Sequence, residues 1–384
     1  MPSLIPEDLT QPGTHALIIG VSAYLHFEDG VDPTPTGIDF HMEQLSAAAR
    51  SASEFAAWLL NDYRCDRAPL RSLRVLLSPS PDEVIHADIA ARLNGDFSAT
   101  RANVATALAE FRNACNTNTA NVGIVYIAGH GVQLTKHGAI VLLHDFGATD
   151  FLNQLDGAID MAGVHAGMNH PNTARTQFWF VDACRQKPAI ASRFEALNKS
   201  PITLAEPNGT TETSPLFLAA TTGKEAFARV GGVTLFNEAL MWALRGSVAV
   251  GPEAEVNNWH VPVTALIKQL PDRVHFLASN KSVEQSVDIA GKIHEAVFHE
   301  YAVAPNVDLR IDLSPAEAIP VSKGSLKHKG IIPIVENYSD WPLQQSVEAG
   351  LYSLDIQTAD PYKPRFELLE IKPPEKHAEY NVEA

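Results

Sequence analysis

Two short segments of this 384-residue chain combine residue types that can do covalent chemistry. In VYIAGHG, residues 125–131, His130 stands between two glycines. In FWFVDACR, residues 178–185, Cys184 follows Asp182 and Ala183. Peptide hydrolysis by a cysteine needs a thiolate, a base within reach of its proton, and donors aimed at the developing oxyanion. Cys184 can supply the thiol. His130 can accept the thiol proton and later return it to the leaving amine. The amides of Gly131 and Cys184 are the candidate oxyanion-hole donors, and glycine at 131 leaves its amide unobstructed. Read singly, each residue has a plainer explanation. A buried cysteine at a strand end is commonly an inert small hydrophobe, and a histidine between glycines is often a turn residue. Their joint occurrence, each just past an apolar run, points to one shared crevice. Cys65 and Cys115 have no base beside them in sequence and read as structural.

The elements that must position this pair follow from hydrophobic patterning. HALIIGV (15–21), LRVLL (73–77), VGIVYIA (122–128), AIVLL (139–143), QFWFV (177–181) and LFLAA (216–220) are short runs that are almost wholly apolar, and each predicts a buried strand. Leu45–Tyr63, Thr100–Ala114 and Leu235–Leu244 carry apolar residues at helical spacing. Strands apolar along their whole length, alternating with helices, predict a mostly parallel α/β sheet covered on both faces. Ligands bind such sheets at the carboxyl ends of the strands. Between the first strand and first helix lies a long loop with Pro33, Pro35, Gly30 and Gly37, of a length often tied to function. From residue 287 the character changes: VDLRIDL, GLYSLDI and RFELLEI alternate or read as strands between Pro and Gly punctuation. The predicted division is residues 1–286 as the α/β domain and 287–384 as a small all-β sandwich.

Composition narrows the function classes. Hydrophobic residues make up 45% and charged residues 19%, so a sizeable core can form. The formal net charge is −16 and no basic run is present, which argues against nucleic acid as a partner. No stretch approaches the length of a membrane span, and the N-terminus lacks the basic and apolar regions of a secretion signal. Three cysteines suit a reducing compartment better than a disulfide scaffold. A cytoplasmic protein with no membrane partner is expected. No glycine-rich phosphate loop and no nucleophile elbow occur. His130, His137 and His144 recur every seven residues across a predicted turn, and Asp145, Asp150, Asp156 and Asp160 lack the spacing of a calcium loop, so no metal site is expected.

The two reactive segments resemble the paired catalytic blocks of caspase-like cysteine peptidases, the superfamily of caspases, metacaspases and many bacterial relatives. Their separation, 184 − 130 = 54 residues, matches the roughly 50-residue spacing of caspases. HALIIGV followed by a loop and an Ala-rich helix is similar to the first βα unit of the family. PLFLAATTGKEAF followed by GGVTLFNEALMWAL is similar to its last strand and helix, so the resemblance spans roughly residues 12–285. It implies an endopeptidase with a Cys184–His130 dyad acting on a protein or peptide substrate and needing no cofactor. Some relatives respond to calcium, so activation by that ion stays open. Many bacterial relatives act in defence or cell death by cutting a neighbouring effector. A scaffold that keeps the fold without catalysis is the alternative, and the presence of both reactive residues argues against it.

The resemblance carries finer implications. Asp182 sits at the floor of the primary pocket in this family, with Ala226 and Phe227 expected to line it. A carboxylate there favours Arg or Lys on the acyl side of the cut bond, although Arg229 offers the opposite reading and Asp182 could instead brace its turn. Residues 187–213 correspond to the linker that caspases cut between two subunits, with Arg193 and Lys199 as candidate processing sites. Ser51 stands where metacaspases often carry an Asp. LRIDLSPAEA and VEAGLYSLDI, followed by DPYKP, resemble small PEGA-type sandwiches, implying a docking or regulatory role toward an activator or effector protein.

Overall fold

The structure is a computed structural model. It describes residues 3–34, 42–133, 139–151, 153, 155–184, 202, 209–220, 231–252 and 258–384. In chain order, β1 (Thr14–Val21) leads to α1 (Ala48–Asn61), β2 (Leu70–Ser78), the short α2 (Ala87–Ala90), α3 (Arg101–Cys115) and β3 (Val122–Gly129). Then come β4 (Gly131–Val132), β5 (Ile140–Leu142), β6 (Ala158–Asp160), α4 (Met161–Gly167), β7 (Thr176–Ala183) and β8 (Ser214–Leu218). They are followed by α5 (Leu235–Trp242), β9 (Trp259–Pro262), α6 (Val263–Ser279) and β10 (Asp288–Lys292).

Five parallel strands and one antiparallel edge form a six-stranded sheet in the order β10-β8-β7-β3-β1-β2. Every residue of β1 and β3 is buried, as the unbroken apolar runs require of strands covered on both faces. α1 lies close on this sheet because small residues meet: a Cβ at Gly20 would stand 2.7 Å from the Ala49 Cα and the Ala52 Cβ. α3 starts at Thr100, whose hydroxyl accepts the Asn103 amide. Asp145 accepts the amide of Arg101 at 2.9 Å and covers another free helix-end donor.

One expectation about the elements needs correction, and one helix was not read from sequence. The run 139–143 forms β5, which belongs to a separate antiparallel sheet β4-β5-β6 rather than to the main one. Its role is local, since it anchors the segment that follows His130. Helix α6 escaped sequence reading because Pro271 lies inside it and reads as a breaker.

The chain divides into two compact units, residues 1–241 with 267–296, and residues 242–266 with 297–384. β10 begins after the predicted 286/287 division, yet it pairs with β8 and completes the first sheet. In the second unit β9 pairs with β11 (Val297–Tyr301). The sandwich follows with β12 (Asn306–Ser314), β13 (Ser322–His328), β14 (Ile332–Tyr338), β15 (Leu343–Glu348), β16 (Gly350–Thr358), β17 (Arg365–Ile371) and β18 (Glu375–Asn381). One sheet has the order β15-β12-β18 and the other β14-β13-β16-β17. Val307, Leu309 and Ile311 of β12 and Leu354 and Ile356 of β16 fill the core between them.

Candidate active site

The pairing of β3 with β7 sets the geometry. Ala128 lies opposite Asp182 and Gly129 opposite Ala183 in a parallel ladder. Continuing that register by one residue brings the backbones of His130 and Cys184 alongside each other at the carboxyl ends of neighbouring strands. The approach is close: a Cβ at Gly131 would stand 2.2 Å from the Cys184 carbonyl oxygen and 2.9 Å from the Ala183 Cβ. Glycine at 131 is therefore a packing necessity. β5 holds the same segment from the other side, the Leu142 amide donating to the His130 carbonyl at 2.9 Å.

The imidazole is fixed by backbone rather than by a carboxylate. His130 Nε2 lies 2.7 Å from the carbonyl oxygen of Glu43. A carbonyl can only accept, so Nε2 carries the proton and Nδ1 keeps its lone pair. Burial pushes the His130 pKa down, with the Glu43 bond and the charge of Asp29 partly opposing. The ring is thus neutral at pH 7 and able to take a proton.

Glu43 is in turn held in place. The Gln44 side chain accepts the Tyr24 amide at 2.6 Å and donates to the Tyr24 carbonyl at 2.9 Å, fastening this segment to the loop after β1. The Leu45 amide donates to Ser22. Tyr24 also accepts the His130 amide through its hydroxyl at 2.7 Å, and its ring packs 5.1 Å from the imidazole. Phe27 stacks behind Tyr24 at 4.4 Å. The Tyr24 phenol is raised by burial, with the charge of Cys184 adding to the shift. Cys184 is half-buried, whereas Cys65 and Cys115 are buried, and burial raises the Cys115 thiol well above its ordinary value.

Asp182 faces a second polar group, under the sheet end. It is 3% exposed. Its Oδ2 accepts from the Tyr126 hydroxyl at 2.6 Å and from the Thr234 hydroxyl. Asn237 donates to the Ser51 carbonyl at 3.0 Å, and the Thr234 amide donates to the Ser51 hydroxyl at 2.9 Å. Ser51, where the chain departs from metacaspases, is thus part of the same cluster. Burial pushes the Asp182 carboxyl up to about 6, against the lowering by its two hydroxyl donors. Among the described residues, Asp182 Oδ1 and Asn237 Oδ1 are buried acceptors without a donor. Buried acceptors without a donor are uncommon in folded proteins.

The family model described as caspase domain matches residues 14–287. The chain belongs to the caspase-domain family. A relative in Sinorhizobium fredii, the uncharacterized protein y4kE, is 24% identical over 304 residues, covering 77% of this chain and 84% of its own. The crystal structure of caspase-1 from Spodoptera frugiperda is similar at a TM-score of 0.40 and 10% identity, covering 78% of this chain and 100% of that one.

Of the residues singled out by sequence, the ladder brings His130, Gly131, Asp182 and Cys184 to one end of this caspase-domain sheet. Ala226, Phe227, Arg193 and Lys199 lie outside the described residues, as does most of the 187–213 linker. Tyr24, Gln44, Thr234 and Asn237 were not singled out. The only sequence signal for the first two was the long loop after β1. Among the described residues no three His, Cys, Asp or Glu side chains are grouped to hold a metal ion, and no helix is long and apolar enough to cross a membrane.

Proposed function

We propose that this caspase-domain chain is a cysteine endopeptidase that cuts after Arg or Lys. The observation that carries the reading is the β3–β7 register, which sets the His130 backbone beside that of Cys184 while the Glu43 carbonyl fixes the imidazole tautomer. In the proposed reaction the Cys184 thiol gives its proton to His130 Nδ1, and the thiolate attacks the scissile carbonyl carbon. The oxyanion is received by the amides of Gly131 and Cys184. Collapse breaks the C–N bond, and the imidazolium protonates the leaving amine. Water then gives a proton to His130, attacks the thioester, and releases the new carboxylate with the thiol restored.

Specificity is assigned to the Asp182 cluster. Its open acceptors on Asp182 and Asn237 favour a guanidinium or ammonium and disfavour an acidic side chain. Cleavage within 187–213, at Arg193 or Lys199, would follow from the same preference. The test compares fluorogenic peptides ending in Arg, Lys, Asp and Leu on the wild type, Cys184→Ala and Asp182→Asn. The reading expects Arg and Lys to be cut best, Cys184→Ala to be inert, and Asp182→Asn to lose at least tenfold on Arg and Lys but not on Leu. Best cleavage after Asp, or an unchanged Arg preference in Asp182→Asn, would contradict it.

A further inference from the structure

The chain is strongly acidic as a whole, but one hairpin of the sandwich reverses that charge. From Ser322 to Val335 the sequence SKGSLKHKGIIPIV contains Lys323, Lys327 and Lys329 and no acidic residue, in a chain of net charge −16. β13 and β14 are joined by the three residues Lys329–Ile331, of which Lys329 and Gly330 have positive φ, 52° and 74°. Two successive residues with positive φ make the connection tight. The Lys329 amide donates to the Leu351 carbonyl at 2.8 Å, which fastens the turn to β16.

The tip is apolar and bare. Ile331 is 78% exposed, Ile332 49% and Ile334 40%. Leu351, beside the turn, is also exposed. Pro333 between the isoleucines is exposed as well. Successive strand residues point to opposite faces, so both faces of this arm of the hairpin are uncovered. Among the described residues none of the three lysines has a carboxylate partner. The carboxylate opposite Leu351, that of Glu370, is taken up by Lys372 at 2.8 Å.

We infer that this hairpin tip inserts into the interface of an anionic lipid surface. A rigid protein partner would cover one face of the arm, whereas a fluid bilayer boundary covers both. Pairing of a partner strand is disfavoured because Pro333 sits on the edge strand without an N–H. Lys327 stands opposite Pro333 and Lys329 lies in the tip beside Ile331, so unpaired lysines flank the exposed isoleucines at the same level, the mixture of basic and apolar groups that an anionic headgroup boundary takes up. The net charge of −16 averages away this local basic patch.

The test is co-sedimentation of the full chain with phosphatidylcholine vesicles and with vesicles carrying phosphatidylserine, at low and high salt. Binding is expected to the anionic vesicles only, falling as salt rises. Replacing Ile331, Ile332 and Ile334 together by Ser should weaken it by at least about tenfold. Lys327→Gln with Lys329→Gln should weaken it by about fivefold per lysine. All five positions are at least partly exposed, so near-ultraviolet circular dichroism should be unchanged. Absence of binding, equal binding to neutral vesicles, or binding indifferent to both variants would overturn the inference. So would a tip that ignores vesicles but drives self-association lost in the triple Ser variant.

Discussion

The six-stranded sheet and the C-terminal sandwich bury their strands in opposite patterns. β1 and β3 are buried at every residue. β12 alternates, with Val307, Leu309 and Ile311 inside and Asn306, Asp308 and Arg310 outside. A strand buried on both faces has no free side chain along its length, so the chemistry can only gather at its end. A strand with one solvated face can present side chains anywhere without disturbing the core. The first region should therefore fail sharply when its strand ends are altered, and the second should tolerate surface change.

The largest expected effect lies at the strand ends. Cys184→Ala should lower kcat/KM by about 10⁴-fold or more, because nucleophile and proton acceptor act as a unit. Next comes Gly131→Ala. Its Cβ would collide with backbone at Cys184, so the β3–β7 crevice must widen, with a loss of roughly 10²-fold or more in kcat and a lower melting temperature. Gln44→Ala should cost about tenfold, since it loosens the segment that carries the Glu43 carbonyl while touching no substrate. A pH profile distinguishes that positioning role, because the His130 tautomer is no longer fixed and the acid limb should shift.

A pH effect of intermediate size sharpens the comparison. Cutting after Arg needs Asp182 ionised, and its carboxyl is pushed up to about 6. The ratio of Arg to Leu cleavage should rise as pH climbs through about 6 and stay flat in Asp182→Asn. The sign for folding is opposite. A raised carboxyl pKa means that the folded state keeps its proton between about 4 and 6 while the unfolded chain loses it. This group's contribution of about 3 kcal/mol is present at lower pH and is lost as pH rises to about 6. Urea titrations of Asp182→Asn should lack that dependence. At the small end, Phe366→Ser and Leu368→Ser on the exposed face of β17 should move stability by no more than about 0.5 kcal/mol and leave cleavage intact. Ile356→Ala in the sandwich core should cost about 2–5 kcal/mol.

How much of this was legible in sequence depends on what each residue contacts. The strands that position His130 and Cys184 are continuous apolar runs, and such runs identify themselves. Val307–Leu313 was legible by alternation. β14 and β15 were not, because IPIVENY and LQQSVE mix polar and apolar residues without a clean period. Tyr24 and Gln44 act through hydroxyl and backbone bonds across a loop, and no residue type announces that role. Thr234 and Asn237 reach Asp182 only through the folded packing of α5 against Ser51 and Tyr126. Glu43 contributes a carbonyl, which any residue could have supplied.

The central claim is that Cys184 is a nucleophile activated by His130, while Cys65 and Cys115 are structural. An Arg-terminated peptide chloromethyl ketone, with the modified residue located by mass spectrometry, tests it most directly. The account predicts stoichiometric alkylation of Cys184 alone in the wild type and a rate at least about 10²-fold lower in His130→Ala. Equal alkylation of all three cysteines, or labelling of Cys184 at an unchanged rate in His130→Ala, would contradict it.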